Sequence, residues 1–422
     1  MTKSENSHYR KTVLPNGAKV VTETIPHVRS VSLGLWVDVG SRDEPIQSSG
    51  ISHFIEHMVF KGTETRRASE IASYLESVGG VLNAFTGREQ TCYYAKFLDE
   101  HIDKAVEILF DLVNNALFDR QDIEKEKKVV LEEIHDIEDS PSDLVHDLFA
   151  GVIFGKHPLG RSILGSRNSI NSMNRPKVLR HLKRFYRPDK TIVAACGNLQ
   201  HDHLVELTNQ YINQGVYAAS INGRRKPRFK TQRRIFRRKT NQTHVCLGIP
   251  AREFSHESRT AMLLLNSVLG GGMSSRLFQR LREDLGLVYS VFSFLDFFAD
   301  NGIFGIYLGT DKNNVKKALS AVRTEIDAVI ADRLDAAEIE KAREQLKGSL
   351  MLGLENTSNR MNRLAKHELL VNKYISLDET VAAIDGVKAD EILEIARQLF
   401  SAVHFSAVVL GPVKGDVYSA LD

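Results

Sequence analysis

The sequence predicts an α+β protein of two homologous domains, each a mainly antiparallel sheet packed with helices. The 422 residues exceed what one core usually serves, so two units of roughly 200 residues are expected. Strand-like and helix-like segments follow one another in the same order in both halves. Ile123-Glu124-Lys125 also returns as Ile339-Glu340-Lys341, displaced by close to half the length of the chain. A fixed offset of that size marks a duplicated domain.

In the first half, Ala18 to Thr24 and Ser30 to Val39 are Val-rich and alternate in polarity, as strands do. A helix is expected over Ile51 to Phe60, stopped by Gly62, and another over Ala68 to Val78, ending at Gly79-Gly80. Val81 to Phe97 has the pattern of a hairpin turning near Gly87. Helices return at Ile102 to Asn115, Arg120 to Glu138 and Pro176 to Phe185, and Thr191 to Cys196 is a short buried strand. In the second half, Thr243 to Ile249 resembles Ser30 to Val37, Leu287 to Leu308 supplies further strands, and Asn313 to Ala331 matches the helix from Ile102. The expected division is 1–217, a basic linker 218–232, and 233–422.

Composition is that of an ordinary globular chain, 42% apolar and 26% charged. Cys92, Cys196 and Cys246 lack the paired spacing of a zinc ribbon or redox motif, which favours reduced thiols and a cytoplasmic protein. Met1 to Thr12 is polar and does not resemble a signal peptide, and no run reaches the length of a membrane span. Arg224 to Lys239 holds ten basic residues and no acid; removing those ten charges from the net +3 leaves −7 on the remainder. With few aromatics and no nucleic-acid module, this run is expected to be a solvated linker entering an edge strand, without nucleic acid as partner.

The chemistry concentrates in His53-Phe54-Ile55-Glu56-His57. Residues four apart share a helix face, so His53 and His57 can hold one ion together, with Glu56 on much the same side. Two imidazoles and a carboxylate form a hydrolytic zinc set that leaves a position for water, and Glu56 is placed to act as general base. Similar ligands also accept manganese or cobalt. On the helix from Arg120, Glu126 and Glu133 are two turns apart and share a face, whereas Glu132 is turned about 100° from Glu133. One of the pair is the expected third ligand, and the other can orient a histidine. At the offset that relates the two halves, Glu126 becomes Ala342 and Glu133 becomes Ser349, so the chemistry is expected in the first half. His201-Asp202-His203 also looks metal-like, but it opens a helix and is expected to be structural.

The spacing HxxEH, followed by a glutamate at the distance that separates Glu133 from His57, resembles the pitrilysin–insulysin family of inverted-motif zinc peptidases. The resemblance implies Glu133 as metal ligand, one zinc per chain, and Glu126 in support of the base. It matches Asn83-Ala84 to the family's substrate-binding edge strand and His157-Pro158-Leu159-Gly160 to a recurring loop. Leu269 to Phe278, with Gly270, Gly271 and Gly272, is similar to the glycine-rich loop of mitochondrial processing peptidases, and Arg282 and Tyr289 fall where the family holds substrate and oxyanion. Short members have two domains, and longer ones close four as a clamshell. The resemblance therefore implies an endopeptidase for unfolded peptides or presequence-like segments, working as a homodimer. The competing expectation is a non-catalytic assembly subunit of a peptidase or respiratory-type complex.

Overall fold

The computed structural model describes residues 8–212, 223–331, 334–400 and 405–421. The chain forms two compact units: Met1–His135 with Arg161–Arg224 and Leu352–Ile375, and Asp136–Gly160 with Arg225–Met351 and Ser376–Asp422. The boundary expected between 217 and 218 lies outside the described residues.

The first half contributes β1 (Tyr9–Val13), β2 (Lys19–Thr24), β3 (Ser30–Val37), α1 (Ile51–Met58), α2 (Ala68–Glu76), β4 (Val81–Thr86), β5 (Thr91–Leu98), α3 (Ile102–Asn115), α4 (Arg120–Asp139) and α5 (Pro141–Phe154). It continues with α6 (Arg167–Asn171), α7 (Arg175–Phe185), β6 (Thr191–Gly197) and α8 (His201–Tyr211). The second half contributes β7 (Arg233–Phe236), β8 (Thr243–Ala251), α9 (Arg259–Gly270), β9 (Val288–Phe297), β10 (Gly302–Thr310), α10 (Val315–Ile330), α11 (Ala336–Gly353) and α12 (Thr357–Val371). The last elements are α13 (Leu377–Gly386), α14 (Ala389–Phe400) and β11 (Ser406–Leu410).

The sheets are the strongest sign of duplication. In the first unit the order is β1-β2-β6-β3-β5-β4, and in the second β7-β11-β8-β10-β9. Apart from the extra β1, each strand of the second sheet takes the place of the strand five earlier in the chain. In each sheet a single parallel pair, β2 with β6 and β7 with β11, accompanies antiparallel neighbours. The architecture is therefore the expected α+β one, with mainly antiparallel sheets. The basic run enters β7, an edge strand, but its first residue is not solvated as expected: Arg224 pairs with Asp38 and Asp43.

Both faces of each sheet are covered, which explains why β3 and β8 are apolar almost throughout. In the first unit Val31, Leu33 and Leu35 join the core with α1 and α3, while Trp36 faces Met361, Leu364 and Ala365 of α12. In the second, Val245, Leu247 and Ile249 face α9 and α10, while Cys246 packs with Val145 and Phe149 of α5. α5 begins at Pro141 and α12 at Thr357, the same displacement that separates the repeated Ile-Glu-Lys tripeptides. Each of these helices covers the sheet whose strands come from the other half of the sequence. Glycine gives the room: a Cβ on Gly34 would lie 3.0 Å from Met361 Sδ, and one on Gly248 would lie 2.5 Å from Phe149 Cζ.

Candidate metal centre

The helix that carries the motif is anchored at its first turn. Gly50 adopts φ +87°, and a Cβ there would meet the Leu164 carbonyl oxygen at 2.4 Å, so the position requires glycine. The Glu44 carboxylate accepts from Gly50 N–H at 2.7 Å and Ser52 N–H at 2.8 Å, satisfying donors that an α-helix leaves unpaired. Ile51, Phe54, Ile55 and Met58 are buried in the core, which turns His53, Glu56 and His57 to the opposite side.

α4 brings the other partners. Glu126 is buried and Glu133 half-buried on one face, whereas Glu132 is exposed, as the two-turn spacing requires. His57 Nδ1 donates to Glu126 Oε1 at 2.8 Å, which fixes the tautomer and leaves the Nε2 lone pair free for a ligand. Lys61 Nζ stands 2.7 Å from Glu126 Oε2 and offsets the cost of burying that charge. On the other side, Glu133 Oε1 lies 3.4 Å from His57 Nε2 and Oε2 lies 3.5 Å from His53 Nε2. Burial holds the His53 pKa down at about 3, with the neighbouring His57 adding to the effect, so this imidazole is neutral.

These residues fit a metal ion. His53, His57 and Glu133 each present one ligand atom, all within 4.8 Å of one another, and they are the only such His/Cys/Asp/Glu group among the described residues. Spacings of 3.4 and 3.5 Å are long for hydrogen bonds. They match the roughly 3.4 Å between two ligand atoms each about 2.1 Å from a tetrahedral ion. His53 Nδ1 is buried without a hydrogen-bond partner among the described residues.

Glu56 stands beside this set. Burial raises its pKa, tempered first by the Thr86 hydroxyl, which donates to Oε2 at 2.5 Å, and then by His57. Thr86 ends β4, whose edge position leaves Val81 and Asn83 exposed; Ala84, the next residue, is buried. The Ala84 N–H donates to Asn83 Oδ1 at 2.8 Å.

The remaining expected residues belong to the second unit. Gly270 closes α9, where a Cβ would lie 2.3 Å from the Ser293 nitrogen, and the Gly271 carbonyl accepts from Gln345 Nε2 at 3.2 Å. Arg282 sits in a π-helical turn, Phe278–Asp284, with its guanidinium 4.9 Å from the Phe278 ring centre and 5.6 Å from that of Tyr289. The π-helix is a rare form enriched at functional sites. Tyr289 itself is 70% exposed.

The other histidine cluster is structural. His201 lies between the Thr12 and Thr22 hydroxyls, 2.8 Å from each, and Asp202 pairs with Arg10. Sequence reasoning missed Lys61, Thr86 and Glu44. Lys61, one helical turn after His57, was within reach of a spacing argument; the other two are brought in by tertiary structure.

Comparison with known proteins decides the family. Residues 19–167 match the model of insulinase, peptidase family M16, and residues 172–346 match that of the peptidase M16 inactive domain. The chain belongs to peptidase family M16. M16 relatives include the uncharacterized zinc protease YmxG of Bacillus subtilis, 41% identical over 396 residues that cover 93% of this chain and 96% of that protein. An uncharacterized zinc protease of Streptomyces coelicolor is 41% identical, covering 98% of this chain and 91% of that one. Among solved structures, a protease from Helicobacter pylori superposes with a TM-score of 0.88 at 22% identity, over 96% of this chain and 99% of that chain. A chain of complex III2 from Candida albicans reaches 0.86 at 21% identity, over 98% of this chain and 99% of that chain. At those identities the two structures share the M16 fold with this chain and carry nothing about activity. The family, the two-domain M16 type and the α+β class agree with the sequence reading. Among the described residues, no helix is long and apolar enough to cross a membrane.

Proposed function

We propose that this chain is a zinc-dependent endopeptidase that cuts unfolded peptides or presequence-like segments, with one zinc per chain and Glu56 as general base. The observation that carries the reading is the convergence of ligand atoms from His53, His57 and Glu133 beside a carboxylate, Glu56, that is not one of them. The chemistry zinc supplies when bound is Lewis acidity, which makes water a nucleophile near neutral pH.

The chain's own residues do the rest. Glu126 holds His57 in its ligand tautomer and Lys61 balances the Glu126 charge. The raised pKa of Glu56 suits a group that takes a proton from water and returns it to a leaving amine. An edge strand with exposed Asn83 and a polar backbone at Ala84 suits an extended peptide added as a further strand, which selects unfolded segments. In this reading the second unit binds substrate: Gly270, Gly271 and Gly272 contact it, and Arg282 and Tyr289 stabilise developing negative charge. Because the chain carries both the metal set and the Arg282/Tyr289 pair, a homodimer would be self-sufficient, each second unit serving the partner copy.

The zinc content of the purified protein and its cleavage of an unstructured fluorogenic peptide, before and after chelation, test the proposal. The expected result is near one zinc per chain, with cleavage lost on chelation and restored by zinc. A protein with neither zinc nor cleavage contradicts it and leaves the assembly-subunit reading, to which the complex III neighbour lends only a fold.

A further inference from the structure

Thr86 reaches Glu56 from a separate element, and the register of β4 determines that it does so. Alternate side chains of β4 face opposite sides of the sheet. Leu82 and Ala84 pack in the core that includes α1, whereas Phe85 turns to the other face, where it meets Trp36 edge-on at 5.3 Å. Thr86 shares the α1 side with Leu82 and Ala84, and its hydroxyl donates to Glu56 Oε2 at 2.5 Å. A slip of one residue would put an aromatic ring where the carboxylate needs a donor.

The backbone at Thr86 is firmly held. It forms the last pair of the hairpin, with Thr91, before the turn at 87–90. The Gly87 carbonyl accepts from Ser41 N–H at 3.2 Å, and the Arg88 carbonyl accepts from Arg42 N–H at 2.8 Å. Arg42 pairs with Glu89 at 2.5 Å, both buried, while Arg224 donates to the Glu89 carbonyl at 2.6 Å and pairs with Asp43 at 2.8 Å. These ion pairs have no part in the chemistry proposed above. They fix the turn that places the Thr86 hydroxyl.

We propose that Thr86 is a positioning residue for Glu56, an inference that rests on Glu56 being the base. By giving its one proton to Oε2, the threonine holds the carboxylate plane and leaves Oε1 to face the water. Because β4 is also the edge strand proposed to take the peptide, one strand would set both the substrate and the base.

The test uses the zinc-loaded full chain with Thr86→Val and Thr86→Ser. Thr86→Val should lower kcat about 10- to 100-fold, the scale of one lost hydrogen bond to a charged group, with KM and zinc content unchanged, and Thr86→Ser should recover most of kcat. A parallel readout needs no activity: a double-mutant cycle of Thr86→Val with Glu56→Ala on thermal unfolding of the metal-free protein should show non-additive midpoint shifts. Additive shifts, or an unchanged kcat in Thr86→Val, overturn the proposal. Coupling without any effect on kcat sinks this role alone. Coupling in a protein that never cuts peptide sinks the peptidase reading and this role with it.

Discussion

His57 Nδ1 donates to Glu126 Oε1 at 2.8 Å, and this contact orients a half-buried imidazole so that its Nε2 faces Glu133. The two side chains come from separate helices, α1 and α4, far apart in the sequence. The hydrogen bond settles which ring nitrogen carries the proton and which faces Glu133.

Replacing Glu126 with Ala should therefore weaken zinc binding about 10- to 100-fold, the usual effect of losing a partner that orients a ligand. Competition with a chromophoric chelator measures it. Equal affinity in wild type and variant would mean that the contact does not orient the ring.

Zinc should also stabilise the fold through the same three ligands. Added to metal-free protein at about 100 times its dissociation constant, it contributes about 2.7 kcal/mol. The melting temperature of the wild type should rise accordingly, and that of Glu133→Ala should move little. Equal rises in both proteins would place the stabilising ion elsewhere.

Glu44 gives the fold a pH dependence of its own. Burial raises its pKa from 4.5 to about 7, opposed by the bonds from Ser52 and Gly50. Between those values the folded protein keeps a proton that the unfolded chain has released, so this group's contribution falls as pH rises from about 4.5 to about 7. Urea unfolding midpoints of the wild type should decline across that window relative to those of Glu44→Gln. Parallel pH profiles for the two proteins would show that Glu44 titrates normally.

α5 makes its stabilising contacts with strands from the other half of the chain. Phe149 is 3% exposed and packs with Cys246 and Tyr307. Phe149→Ala should cost about 3–5 kcal/mol. Gly248→Ala should also destabilise, by about 1–3 kcal/mol, because its Cβ would meet the same ring. Chemical denaturation checks both. A cost below about 1 kcal/mol for Phe149→Ala would contradict the packing described.

Much of this is legible in the sequence because it is periodic or local. The hairpin from Val81, the helix over 102–115 and the face shared by Glu126 and Glu133 follow from spacing alone, and all three form where expected. β1 reads instead as a polar terminal segment. As an edge strand with Arg10 and Lys11 exposed in YRKTV, it lacks the apolar alternation that would mark it. α5 escapes a sequence reading because many of its apolar partners, Cys246 and Tyr307 among them, lie in the other half of the chain. Thr86 and Glu44 likewise gain their roles only through register and tertiary contact. The exchange of α5 and α12 has no local sequence signature.

The most direct test of the central claim is the zinc content and peptide cleavage of Glu56→Gln beside the wild type. The account predicts near one zinc per chain in both proteins, and a kcat at least about 100-fold lower in the variant, the contribution expected of a general base. Equal cleavage by Glu56→Gln, or a wild type that binds no zinc, would contradict it.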